Sequence, residues 1–236
     1  SINLWGQETS TGPAFTRFPK ADGTPWVENA YLRIPGLAWN RLDLILGRQP
    51  LLLGDGTLVS DDNAGMNALR AKIALPKGIS LDLFTAKVAE AAGGDNDFDL
   101  KGAIWEVAQG DTHWELAWVR ESNGAPSVYT LAGTTTTAAN TQRTFYDLRI
   151  FGDLRDAYYK LELGLQDGTV RQASGGDIAL SGVAQRVEVG AQTDTVRFGR
   201  FGVWAVYASG SGDDPSTPNE DEAFRATFAK RWDGLR

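Results

Sequence analysis

The sequence predicts an all-β fold, an antiparallel transmembrane β-barrel, on three observations. Apolar and polar residues alternate with period two. They do so in segments of about nine to eleven residues, the length a tilted membrane strand needs. Short turns and long loops also alternate along much of the chain, as in barrels with tight turns at one rim and long loops at the other.

The elements follow in order. Leu69, Ala71, Ile73 and Leu75 alternate with Arg70, Lys72 and Ala74. Trp114, Leu116 and Trp118 alternate with Glu115, Ala117 and Val119, and Tyr146, Leu148 and Ile150 with Asp147 and Arg149. The clearest segment, 157–166, puts Tyr159, Leu161, Leu163 and Leu165 on one face and Tyr158, Lys160, Glu162, Gly164 and Gln166 on the other. Val183, Val187, Val189 and Ala191 then oppose Ala184, Arg186, Glu188 and Gln192. Short turns are expected at 76–78, 109–111 and 192–194, and long loops at 54–65, 90–97, 122–141 and 209–222. This gives about ten strands in one domain spanning 1–236.

Composition bounds the function. Twenty-seven glycines fit turns and close strand approach rather than helices. The absence of cysteine excludes disulfides, thiolate metal sites and cysteine nucleophiles. A net charge of −7 argues against nucleic acid as a partner. No apolar run approaches the roughly 20 residues of a transmembrane helix.

Periodicity alone does not separate a barrel from a soluble sandwich, because either fold has one apolar and one polar face. Two features favour the membrane. Aromatic residues (Trp5, Trp26, Tyr31, Trp105, Tyr146, Tyr207, Trp232) fall towards strand ends. The segments also exceed the five or six residues usual for strands of globular proteins.

The run Leu46-Gly47-Arg48-Gln49-Pro50-Leu51-Leu52-Leu53-Gly54-Asp55-Gly56 resembles the LGRQ…GDG signature of alginate-export family outer-membrane porins. Glu28-Asn29-Ala30-Tyr31-Leu32 looks like the strand that leads into it. Gly175-Gly176-Asp177-Ile178 through Glu188-Val189-Gly190, the loop entry Tyr207-Ala208-Ser209-Gly210-Ser211-Gly212-Asp213-Asp214-Pro215, and Phe224 and Phe228 resemble later parts of the family in the family's order. The resemblance, from about residue 26 to 232, implies an outer-membrane barrel of roughly eighteen strands. The chain then reads as part of a larger barrel, incomplete at both ends.

The candidate functional residues are the charges on the polar face. Arg48, Arg70, Lys72, Lys101, Arg149, Lys160, Arg186 and Arg200 are expected to line the lumen with Asp43, Asp147, Glu162 and Glu188. Asp82, Glu106 and Glu115 belong to the same set. Rings of basic groups in a pore offer successive weak sites to an anion; the alternative is that acids and bases pair across strands and brace the wall. Arg48 sits between Gly47 and Pro50, where irregular pairing is expected to turn it inward; the alternative is a bracing contact to Asp43. Asp55, Asp61 and Asp62 in one loop, and Asp213 and Asp214 with Glu220, Asp221 and Glu222 in another, are candidate calcium ligands without EF-hand spacing. Their alternative is a solvated acidic loop. With His113 the only histidine, neither a catalytic triad nor a multi-histidine metal site is possible.

The expected function is therefore a passive channel without cofactor or covalent chemistry, embedded in the lipid bilayer of the bacterial outer membrane. Its solute is polar or anionic; the resemblance implies an anionic polysaccharide such as alginate. The alternatives are a structural barrel that anchors or sheathes an envelope complex through protein partners, and a soluble β-sandwich that holds sugars on exposed tryptophans.

Overall fold

The computed structural model describes residues 2–5, 26–60, 65–89, 97–131, 134–195, 199–217 and 219–226. The strands in chain order are β1 (Ile2–Trp5), β2 (Trp26–Gly36), β3 (Leu42–Gln49), β4 (Leu52–Leu53), β5 (Val59–Ser60), β6 (Met66–Leu75), β7 (Ile79–Ala89) and β8 (Phe98–Gln109). They continue with β9 (Thr112–Asn123), β10 (Ser127–Leu131), β11 (Thr134–Leu154), β12 (Ala157–Gln172), β13 (Asp177–Thr195), β14 (Gly199–Gly210) and β15 (Glu220–Asp221). A 13-stranded sheet runs β1-β2-β3-β6-β7-β8-β9-β11-β12-β13-β14, with β10 added to β11 and β15 to β13. Every pairing in it is antiparallel except the two-residue contact of β15 with β13. Among the described residues β1 and β14 are not paired with each other.

Short turns gather at one rim. Residues 76–78, 110–111 and 155–156 close three of them, and a left-handed turn, Leu37–Asn40, closes the fourth with φ of 48°, 61° and 61° at Ala38, Trp39 and Asn40. The connections that follow β3, β7 and β9 lie at the other rim, together with the four-residue turn 173–176 between β12 and β13.

Register decides what each face meets. One row of cross-strand partners runs Leu42–Ile73–Leu81–Trp105–Leu116–Leu148–Leu163. The next row towards the loops runs Leu44–Ala71–Leu83–Ala103–Trp118–Tyr146–Leu165–Val183. These side chains point to the open side: Leu161, Leu163 and Leu165 are 42%, 43% and 44% exposed. Glu162 and Arg186, of opposite parity, are 7% and 3% exposed. In water this would invert the hydrophobic effect, forgoing about 1.5–3 kcal/mol per large apolar side chain. It would also desolvate charges at several kcal/mol each. Against lipid the same arrangement is favourable, so the sheet is a wall of the membrane-barrel type and not half of a soluble sandwich. Gln185, on the outward parity, donates to Ser209 Oγ at 3.1 Å, which satisfies one polar group within the sheet.

The inner face is covered by two segments. Residues 50–60, after β3, turn inwards, and Leu51, Leu53, Leu58 and Val59 are buried against Met66, Phe84, Leu100, Ile104, Val119 and Phe145. Residues 211–226 fold back from β14, and Phe224 packs edge-on against Phe145 at 5.8 Å. Residues 54–60 correct the expectation of an outer loop over 54–65: Leu51, Leu53, Leu58 and Val59 have their apolar partners inside, and 61–64 lie outside the described residues.

Two further expectations change. Gln192-Thr193-Asp194 is not a turn; the ladder continues through it, pairing with Phe201 and its neighbours in β14. Strands of 21 and 19 residues, β11 and β13, outrun the bilayer, and backbone pairing there no longer needs apolar side chains. The stretch 122–141 is not a loop but carries the β10–β11 hairpin, built from β-branched residues that suit strands. Tyr129 and Leu131 fold onto Ala138, Val170, Ile178 and Leu180 as a second small core. Tyr31 takes the inner parity, opposite Gly47. Trp232 and Phe228 lie outside the described residues, as does the loop 90–96.

Candidate functional site: a charged inner face

Register brings charges from five strands into one inner row, Arg186–Glu162–Arg149–Glu115–Glu106. Arg149 Nη1 lies 3.0 Å from Glu115 Oε1, and its guanidinium stacks over Phe151 at 4.8 Å. Arg186 lies 3.9 Å from Glu162 and also bonds Glu188, which takes a hydrogen bond from Tyr158 at 2.9 Å and approaches Lys160 at 3.8 Å. His113 bonds Glu106 at 2.8 Å and stacks on Phe151. Signs alternate along most of this row, so cross-strand attraction offsets part of the desolvation.

A second group lies on β3, β6 and β7, where Asp43 faces Lys72 and Lys72 faces Asp82. Arg70 Nε bonds both Asp82 oxygens at 2.8 and 2.7 Å, and Lys72 stands 3.6 Å away. A cavity of about 420 Å³ opens here, lined by Asp43, Arg70, Lys72, Asp82, Glu106 and Glu115. Leu52 and Leu53 of the inserted segment form its ceiling.

The inserted segment meets the inner row at Glu162, whose Oε2 accepts from Thr57 Oγ1 at 3.1 Å. Gly54, with φ of 60°, lies against the same carboxylate; no side chain fits there. Glycine also admits the second segment. A Cβ on Gly182 would stand 2.8 and 2.9 Å from the Phe224 backbone, and one on Gly164 3.3 Å from its ring. Gly182→Ala is therefore expected to expel residues 211–226, read as faster limited proteolysis within that segment. Gly212→Ala, with nothing within 4 Å of its Cβ, is the unchanged control.

Of the residues expected in the lumen, Arg70, Lys72, Arg149, Lys160, Arg186, Asp43, Asp147, Glu162 and Glu188 take the inner parity. Arg48 and Lys101 do not. The positive φ of Gly47 leaves the register unbroken, so Arg48 stands opposite Asn67 with the outward Leu46 and Leu69, and Gln49 is the buried inner residue, donating to the Ala68 carbonyl at 2.9 Å. Lys101 shares the outward parity of Ala103 and Trp105; the inner residues Leu100 and Ile104 pack in the core with the inserted segment, so polarity is reversed at that level. The side chain of Arg200 lies outside the described residues.

The calcium candidates divide. Asp61, Asp62 and the Asp55 side chain lie outside the described residues. Asp214 accepts from the Ser216 backbone, which holds its carboxyl below the usual range. Glu222, held low by Thr217 first and by the Asp214 backbone second, closes the same turn. Asp213 belongs to this turn region, and among the described residues no group of three acidic or histidine side chains is placed to hold a metal.

Sequence reasoning missed the Arg143–Glu121 pair at 2.7 Å, and it gave Asp221 only as a member of an acidic loop, as a calcium candidate or a solvated acid. Asp221 is fully buried, bonds the Tyr129 hydroxyl, and lies 3.0 Å from Arg225 Nε. Burial, with Asp221 beside it, pushes the Tyr129 hydroxyl above its ordinary pKa. The first depends on the register of β9 against β11 and the second on the return of the segment after β14 over the sheet, and no local pattern marks either.

No protein-family model and no curated protein matches the sequence. Among solved structures, the chain is similar to a loop-L8 deletion mutant of OmpT, an outer membrane protein of Vibrio cholerae. The two are 13% identical, with a TM-score of 0.45, over 81% of this chain and 77% of that one.

Proposed function

We propose that the chain forms the wall of a bacterial outer-membrane barrel that conducts small polar solutes passively, without cofactor or catalytic chemistry. The observation that carries this reading is the reversal of polarity across one sheet. Arg186, Glu162, Arg149 and Glu115 are enclosed, while Leu116, Leu148, Leu161, Trp105 and Trp114 face out.

The solute class follows from the inner charges. The resemblance implies a basic path for a polyanion such as alginate, yet two of the expected bases, Arg48 and Lys101, take the outward parity. The inner bases stand beside Asp82, Glu115, Glu162 and Glu188. Alternating signs support small polar solutes over a polyanion, because among the described residues no uninterrupted basic track runs along the wall.

Conductance of the full-length protein in planar bilayers tests the reading. Discrete channels are expected. Replacing Arg70 and Lys72 together by Gln should shift the reversal potential towards cations, since Asp43 and Asp82 remain at the cavity wall. Folded, inserted protein without conductance would favour the second reading, a sealed structural barrel. That reading is supported by Leu51, Leu53, Leu58 and Val59 filling the inner side.

A further inference from the structure

We infer that the outward face at the loop rim binds the phosphate of an anionic lipid headgroup, through Lys101 and Arg120. The inference rests on the membrane reading above. Lys101 and Arg120 are direct cross-strand partners on β8 and β9, both exposed and both of the outward parity. Like charges directly opposite each other destabilise a sheet. The pair stands one row nearer the loops than Ala103 and Trp118, the partners that begin the apolar band. This is the level at which lipid acyl chains give way to headgroups.

The surroundings hold the pair without neutralising it. Arg120 Nη2 donates to Gln142 Oε1 at 2.8 Å, a neutral acceptor that leaves the guanidinium charge in place. On the same face Lys101 is flanked across the strand by Thr85, and Arg120 by Thr144, both uncharged. Of the carboxylates towards the rim, Asp97 is 2.6 Å from Lys87, and Asp99 stands opposite Lys87 and Ser122. In the next row towards the loops Lys87 is matched by Asp97 and Asp99, so the positive charge at this level is that of Lys101 and Arg120 themselves. A phosphate between Lys101 and Arg120 converts their repulsion into two charge-assisted contacts. The apolar row beneath receives the chains of the same lipid, which favours a lipid over a free anion.

The test uses the full-length protein folded into vesicles of phosphatidylcholine alone and of phosphatidylcholine doped with phosphatidic acid, with thermal unfolding as readout. The wild type is expected to melt higher in the doped vesicles. The double variant Lys101→Gln, Arg120→Gln should lose that difference and melt higher than the wild type in the neutral ones, as repulsion is removed. A double variant that keeps the full lipid-dependent rise overturns the inference. So does inorganic phosphate reproducing the rise in neutral vesicles, which would make the pair a site for a soluble anion. Failure to insert into either vesicle would instead overturn the membrane reading on which the inference stands.

Discussion

Leu148→Arg is expected to destabilise the inserted protein by about 2–4 kcal/mol, the cost of a cation on the lipid face near the midplane of a barrel. Leu148 is flanked in register by Leu116 and Leu163, in the interior of the apolar band and away from the β14 edge. An arginine there finds no acid on its own face among these partners. Lys72→Gln, on the inner face with 49% of its side chain exposed, should change stability little. Urea unfolding of both variants in liposomes measures the contrast. Equal tolerance on the two faces would remove the physical basis for placing this sheet in a membrane.

The two faces are legible in the sequence because period-two alternation needs no tertiary information. Alternation over 157–166 puts Leu161 and Glu162 on opposite sides, as they are in the structure, which adds only that strand β12 continues to Gln172. Lys101 shows where the rule breaks. Alternation gives parity, but which parity is polar depends on what covers the face. Beside Leu100 and Ile104 the cover is the inserted segment 50–60, so the charge is turned outwards. Arg48 departs for a different reason: a glycine at φ of 118° is compatible with the regular ladder, so the irregularity expected to turn it inward is absent. The loop-like composition of 50–60 hides an apolar insert, because Leu51, Leu53, Leu58 and Val59 are too few and irregularly spaced to announce a buried element. Pairings such as Arg149 with Glu115 need the register of β9 against β11, which the sequence does not state.

Removing Arg143 should expose how the inner charges are held. Arg143 Nη1 lies 2.7 Å from Glu121 Oε1, and their side chains are only 11% and 2% exposed. A buried pair that loses one member leaves the other desolvated without its counter-charge, at a cost of about 3–5 kcal/mol. Arg143→Met should therefore destabilise strongly, because Glu121 sits on the inner side of β9 between Leu100 and Arg143 in register. Replacing both, Arg143→Met with Glu121→Met, removes the stranded charge and fills the space with apolar volume. The double variant is expected to recover most of the loss. The double-mutant cycle, read by denaturant unfolding in liposomes, isolates the coupling from the packing change common to each replacement. Additive losses would show that the two groups are solvated independently, and the inner face would then be a wetted wall whose charges do not depend on one another.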